Sequence, residues 1–549
     1  MRQLAVILGI FLIIALFLAA GCSGTSSHSA SNPSITAPIA TTVVATTQAG
    51  NTATSSKPSI TATNQSRQKY GGVLRVADPN APGTPIGAPW ETSGGAVMSM
   101  QLSLEPLLRE ELGGKINPRL AESYEVNTDV NNPSATFHLR KGVKFHDGTD
   151  LNAQAVKWNF EKTKAGGMTA PATAFWKSFD VIDDYTIRVN FTEWQNRLIR
   201  SFADSVAYVV SPTALEKNGI EWMRWQMVGT GPFKQIEFKR DTILRTGRFE
   251  NYWDTGKPYL DEVQYIYVSD VMTREALFKS GGADVATCTP LMAYNLQNAG
   301  FKIITKPEGP NVLVPDSANA DSPWSNQKVR LAVEYAIDRE ALAKAFGYGF
   351  SKPAYQIPSP ASMAYNPDIK GRPYDLAKAR ELMIEAGYPN GFKTRLVAST
   401  GGDINYVTAI QAYMAKIGIQ AEIELAEPAS YNKYLSGGPW KNAVFINPFM
   451  EWANYNTTLN NFFNPKSNFY QSLNKPAHIW ELISKSLRTT AQDPDLLKQI
   501  TALLYEDCTL IPLTYNTSLW ATWDYVQDTG FGTRGANTYW NPQNAWLSR

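Results

Sequence analysis

Between residues 327 and 346 the apolar side chains recur every three or four positions, as Val329, Val333, Ala336, Ile337 and Leu342. At 3.6 residues per turn this spacing predicts one helix with a single buried stripe, leaving Arg330, Glu334, Asp338 and Lys344 mostly off it. A second helix is predicted from Asp375, with Leu376, Ala379, Leu382, Met383 and Ala386 turned inward. The Asp375 carboxylate suits an N-cap, and Gly387 stops the helix because glycine takes the left-handed C′ conformation without strain. Pro389-Asn390-Gly391 then makes a turn. Alternation with period two predicts strands: one carrying Phe137 and Leu139, one over 181–191 carrying Tyr185, Ile187, Val189 and Phe191, and one over 419–425. Residues 393–398, the helix holding Val407, Ile410, Met414 and Ile417, and the 419–425 strand form a βαβ unit. Its crossover forces a parallel pair, so the fold class is α/β. Residues 71–77 and 263–268 are further strands, and 273–282 a helix leading into Ala283-Asp284-Val285.

The wording of these elements carries more than their period. KVRLAVEYAIDREAL at 328–342 and YDLAKARELMIEAGYPNGF at 374–392 resemble the second-lobe opening of the extracellular solute-binding proteins of family 5, the peptide, nickel and oligosaccharide receptors of ABC importers. GGVLRVA at 71–77, PRLAESYEV at 118–126, ATFHLRKGVKFHDGTDLNAQAVKWNFE at 135–161, VGTGPF at 228–233, NYW at 251–253, KPYLD at 257–261 and IPL at 511–513 resemble the same family. The resemblance covers nearly all of residues 70–530. It implies a two-lobed periplasmic-binding-protein-like fold, class II and cluster C type, with an extra subdomain in the first lobe. Residues 70–112, 231–310 and 512–549 would form lobe I, 113–230 its subdomain, and 311–511 lobe II. Two or three crossings make a hinge, so the lobes would close on a solute and present it to ABC permease subunits.

Composition narrows the function classes. The 549 residues exceed what one core usually supports, and 51 basic against 49 acidic side chains, net +2, argue against a nucleic-acid binder with a basic surface. Histidines at 28, 138, 146 and 478 and cysteines at 22, 288 and 508 show neither zinc-ligand spacing nor a disulfide framework, and no metal or cofactor is expected. Cys288 is expected to be buried as a small hydrophobe, with pairing to Cys508 the alternative. His146-Asp147 is expected to be a turn with an exposed imidazole, because no nucleophile lies nearby. With no GxSxG or HExxH, the chain is expected not to be an enzyme; a secreted hydrolase with paired carboxylates and a non-transport receptor are the rival readings.

Residues 1–22 place Arg2 before an apolar run over 4–20 that ends in LAAGC, which resembles a lipoprotein signal and its lipobox. By that resemblance Cys22 becomes the lipidated first residue; the alternative is an uncleaved anchor, and either leaves the rest outside the cytoplasm. Residues 23–69 hold 20 Ser or Thr, no Asp or Glu and no aromatic residue, so they form a disordered tether rather than a core. As a flexible coil it spans roughly 40 Å root-mean-square. The resemblance implies a lipid-anchored protein outside the cytoplasm, and a monomer is expected.

Ligand class is where the resemblance departs. Peptide-binding members hold the ligand ammonium with an aspartate in an Ala-Asp-Tyr-like segment, whereas here Trp452-Ala453-Asn454-Tyr455 places Asn454 there. An ion pair at 4 Å is worth about 4 kcal/mol at an effective dielectric near 20, and an amide offers only a neutral hydrogen bond. Glu451 is a substitute charge. Asn454 with Trp452 also suits a sugar, with Trp440 and Trp523 as further stacking candidates. Gly94 and Gly95 are candidates for backbone contact with the ligand, or else a tight turn. An oligopeptide-like ligand ranks ahead of an oligosaccharide.

Overall fold

The stretch expected to be one helix over 327–346 is two. In the computed structural model, which describes residues 68–92, 96–111, 114–166, 169–532 and 540–549, helices run over Gln327–Ala336 and Arg339–Gly347. Ile337 turns extended (φ −100°, ψ 118°), and the Asp338 carboxylate caps the new helix by accepting from Ala341 N–H at 2.9 Å. The apolar period runs straight through the break, so the pattern alone hides it. Arg330 and Glu334, placed mostly off the stripe, are instead buried at 2% exposure each. Arg330 donates to the carbonyls of Cys508, Asp507, Trp324 and Ser325, and Glu334 pairs with Arg372 and Arg339.

The second helix, Leu376–Glu385, forms as expected: Asp375 accepts from Lys378 N–H at 2.9 Å, and Gly387 sits at φ +87°. The βαβ unit is also present. Strands Lys393–Ser399 and Gln420–Ala426 pair in parallel, linked by the Ile404–Ala415 helix. The strand expected over 181–191 is instead a hairpin, Trp176–Asp183 with Thr186–Phe191, because the polar Asp183-Asp184 pair breaks the run and Asp183 turns the chain by accepting from Tyr185 N–H at 2.8 Å.

Both lobes share one large sheet. From its lobe II edge the strands are Gln420–Ala426, Lys393–Ser399, Ala443–Pro448, Lys302–Pro315, Ile511–Thr522, Val285–Cys288, Val73–Asp78, Glu262–Tyr267, Ile243–Arg248 and Phe233–Lys239. The two long central strands, Lys302–Pro315 and Ile511–Thr522, run antiparallel from one lobe into the other. Residues 302–307 pair with 517–522 beside Val285–Cys288, whereas 311–315 pair with Ala443–Pro448. Between the two halves the register shifts from Pro307 to Pro310. Separate hydrophobic cores lie on either side: Leu74, Val76, Tyr265 and Trp520 in lobe I, and Leu313, Val333, Leu396 and Ile410 in lobe II. A four-stranded antiparallel sheet, led by Ala121–Asn127 and Ser134–Leu139, packs Phe137, Phe160, Trp176 and Phe202 into a third core.

At the register shift the backbone of Gly309 approaches its neighbour closely. A Cβ there would lie 2.2 Å from the Phe449 carbonyl oxygen. Gly309→Ala must push two backbone segments apart, and overpacking of this kind costs about 1–3 kcal/mol. We expect a lower urea midpoint with an unchanged m-value.

His146 is not exposed as expected. Its Nε2 lies 2.9 Å from the Gly231 carbonyl, its ring meets Phe249 edge-on, and its Nδ1 is buried without a partner. Burial lowers its pKa from 6.5 to about 4. A proton therefore binds the unfolded chain before the folded one. The stabilisation is complete above pH 6.5 and is lost as pH falls towards 4, on the order of 2–3 kcal/mol. Thermal unfolding at pH 7 and pH 5 should show a drop in wild type that shrinks in His146→Gln.

Cys288 and Cys508 do not pair; Cys288 is partly buried and Cys508 fully, and burial pushes the Cys288 thiol up to about 12. No described helix is long and apolar enough to cross a membrane. Among the described residues no group of three or more His, Cys, Asp or Glu is placed to hold a metal ion.

Candidate functional site

In a parallel sheet the loops at the carboxyl ends of the strands, where chain order reverses, leave a crevice. Here Lys393–Ser399 lies between Gln420–Ala426 and Ala443–Pro448, both parallel to it, so the chain steps to one side and then returns past it. A cavity of about 630 Å³ opens at that end. The strand ends supply Ala398, Ser399, Ile446, Asn447, Pro448 and Met450, and the first turn of the Ile404–Ala415 helix adds Asp403, Tyr406 and Val407. The crossing strands contribute Asn311, Thr514 and Asn516, the Arg339–Gly347 helix Leu342 and Phe346, and lobe I Pro290. The cavity thus touches both lobes and the strands that join them.

Its polar side chains bond mainly to one another. Tyr406 Oη and Thr514 Oγ1 lie 2.9 Å apart, and Asn311 and Asn516 exchange amide hydrogen bonds of 2.9 and 3.1 Å. Tyr431 Oη donates to Asn447 Oδ1 at 2.7 Å, and Asn447 Nδ2 donates to Tyr470 Oη at 2.6 Å. Burial pushes the Tyr406 hydroxyl up to about 12. Asp403, exposed at the mouth, is the only charged side chain among the described lining residues. Its Oδ1 accepts from Asn405 N–H at 2.9 Å.

A second contact joins the first-lobe subdomain to lobe II through Asn196. Its Nδ2 donates to Ser486 O at 2.8 Å, Thr489 Oγ1 at 3.0 Å and Ala491 O at 3.3 Å. Its backbone N–H donates to Leu487 O at 2.9 Å, while its Oδ1 accepts from Asn456 Nδ2 at 3.1 Å. Ser486 and Leu487 belong to the last turn of the Ala477–Arg488 helix, whose terminal carbonyls have no partner within the helix. Asn196 supplies donors to those carbonyls from the other lobe. Trp194 Nε1 adds a bond to Thr489 O at 3.2 Å.

Residues 115–470 match the model of the bacterial extracellular solute-binding proteins, family 5 Middle. The chain belongs to this family. A glutathione-binding protein, GsiB, of Shigella flexneri is 30% identical over 451 residues, covering 77% of this chain and 86% of the relative. GsiB of Escherichia coli K12 is 29% identical over the same length. The binding protein AgaA of A. tumefaciens R10, solved with agropinic acid, superposes with a TM-score of 0.73 at 25% identity, covering 87% of this chain and 99% of that one. DppA of Helicobacter pylori, solved with the peptide STSA, gives 0.71 at 24% identity over 88% and 99%. The two-lobed fold is therefore that of the periplasmic binding proteins. As a family 5 protein the chain has a solute-binding role in ABC transport outside the cytoplasm, and the relatives above are named as binding proteins.

Against this family frame the expected site residues fall in different places. Asn454 lies at the lobe contact: its Nδ2 donates to Asn196 O at 3.2 Å, and its Oδ1 is a buried acceptor without a protein partner. Glu451 accepts from Ser359 N–H at 2.9 Å, and burial raises its pKa, disfavouring the carboxylate. Trp452 is partly buried against the lobe II core, 6.1 Å from Phe462. Trp440 is in that core beside Tyr434 and Phe445, and Trp523 packs on Phe278 and Phe301 in lobe I. Gly94, Gly95 and Cys22 lie outside the described residues. Asn196, Tyr406 and Asn447 were not singled out by sequence reasoning, because no local pattern marks a lone amide or tyrosine as lining a cleft.

Proposed function

We propose that this chain is the substrate-binding lipoprotein of an ABC import system, taking an oligopeptide-like solute between its lobes and delivering it to a membrane permease. The cavity at the carboxyl ends of the lobe II strands, touched by both lobes and by the crossing strands, carries this reading. The name of the GsiB relatives, glutathione-binding protein, points to peptide-like solutes. The rings of Trp440 and Trp523, candidates for stacking on a sugar, pack against other aromatic rings, which weighs against the oligosaccharide reading. Asn454, which stands where the resemblance places the ammonium-binding aspartate, lies at the lobe contact and not in the cavity lining, and its Oδ1 is buried. The register shift at 307–310 serves as the hinge.

Lipid on Cys22 and the 23–69 tether would keep a monomeric receptor near its permease. Cys22→Ser is expected to move the protein from the membrane fraction to the soluble fraction. Mass spectrometry of small molecules released on denaturing the purified protein tests the ligand class. Recovery of peptides supports the reading; recovery of a sugar transfers it to the oligosaccharide receptors of the family.

A further inference from the structure

The cavity has a chemical bias that family membership does not supply. Although amides and hydroxyls stand among its walls, Tyr406 is spent on Thr514, Asn311 on Asn516, and Tyr431 and Asn447 on each other. None of the described buried polar atoms that lack a partner belongs to a lining residue. Most of the wall open to an occupant is apolar, with Leu342, Phe346, Val407, Leu435, Ile446 and Met450 on it. Met450, a large apolar side chain of the lining, is 43% exposed. A polar or charged group entering such a space gives up water for few partners not already engaged with one another, whereas an apolar group gains by leaving water.

We propose that this cavity is a subsite for a large apolar side chain of the ligand, with the ligand's charged and main-chain groups held outside it. Solutes carrying a leucine-, methionine- or phenylalanine-like group are therefore preferred over small or acidic ones. The assignment rests on the peptide reading above and narrows it. The volume of about 630 Å³ lies within the range of roughly 300–1,000 Å³ usual for small-ligand sites, so the cavity accommodates such a group together with part of the adjoining chain. Asp403 at the mouth adds a bias against an acidic neighbour, because its carboxylate would face another anion.

Titration calorimetry of the full chain against Ala-Xaa-Ala peptides, with Xaa glycine, leucine, phenylalanine, aspartate or lysine, tests the assignment. Burial of one large apolar side chain is expected to tighten binding about 10- to 100-fold for leucine and phenylalanine over glycine, with aspartate weakest. Two variants address the cavity itself. Gly401→Phe fills it: the glycine is not at positive φ, and a Cβ there meets only Ser399 Oγ, at 3.8 Å. Met450→Asp places a charge at its rim. Each should flatten the peptide series while leaving the unfolding temperature of the ligand-free protein near that of wild type. Equal affinities across the series in wild type would overturn the subsite and leave the peptide reading intact. A steep series that neither variant alters would place the apolar subsite elsewhere and also overturn the assignment. If no peptide binds and a sugar does, the peptide reading itself fails.

Discussion

Asn196→Ala is expected to weaken ligand binding about 30- to 150-fold and to enlarge the radius of gyration in solution scattering. The alanine removes the amide that bonds Ser486 O, Thr489 Oγ1 and Asn456 Nδ2 across the lobes. At a net 0.5–1.5 kcal/mol per hydrogen bond, two or three lost bonds cost about 2–3 kcal/mol. That cost falls on the arrangement in which the lobes touch, and a ligand that needs this arrangement loses the same free energy in affinity. Serine at 196 should recover part of the effect. If the substitution lowered the unfolding temperature but left affinity and scattering unchanged, the contact would be a permanent part of the fold and not one that forms as the lobes close.

Glu105→Ala is expected to destabilise the first lobe by about 3–5 kcal/mol, seen as a reduced urea midpoint and an unfolding temperature lower by several degrees. The Glu105 side chain is 3% exposed and pairs with Arg119 at 2.5 Å. It also accepts from Tyr252 Oη, Trp253 Nε1 and Thr230 Oγ1, each at 2.9 Å. Removing one partner of a buried pair leaves the other charge uncompensated, and this, rather than the pair's net worth, sets the size of the effect. Glu105→Gln, which keeps acceptors for two of the neutral donors, should lie between. A loss under about 1 kcal/mol for alanine would mean that water reaches Arg119 and replaces the carboxylate.

These two sites show why resemblance found the family before it found the chemistry. Arg119 belongs to PRLAESYEV, Thr230 to VGTGPF, and Tyr252 and Trp253 to NYW, stretches set apart in the chain that meet on Glu105. VGTGPF also supplies the Gly231 carbonyl that faces His146 of the HDGT turn. Such wording is therefore largely structural: it records how the subdomain is fastened to its lobe. The cavity proposed for the ligand is lined instead by residues such as Tyr406, Leu435 and Met450, which carry no motif.

What the sequence by itself determined was the set of features governed by near neighbours, together with the family. Asp375 capping Lys378 N–H, Gly387 in the left-handed region and the parallel βαβ unit all depend on residues within a turn or one crossover. Tertiary structure decided the rest. Ile337 left the helix although the apolar period continued through it, and Asp338 started another. Arg330 and Glu334 were buried because Asp507, Cys508 and Arg372 waited on distant segments to satisfy them. Trp440 and Trp523 became core residues, and Asn196 found its partners some 260–295 positions along the chain. A polar side chain states its hydrogen-bonding capacity in the sequence, but which group meets it is set only when the lobes pack, and in this receptor that choice decides both the cavity and the contact between the lobes.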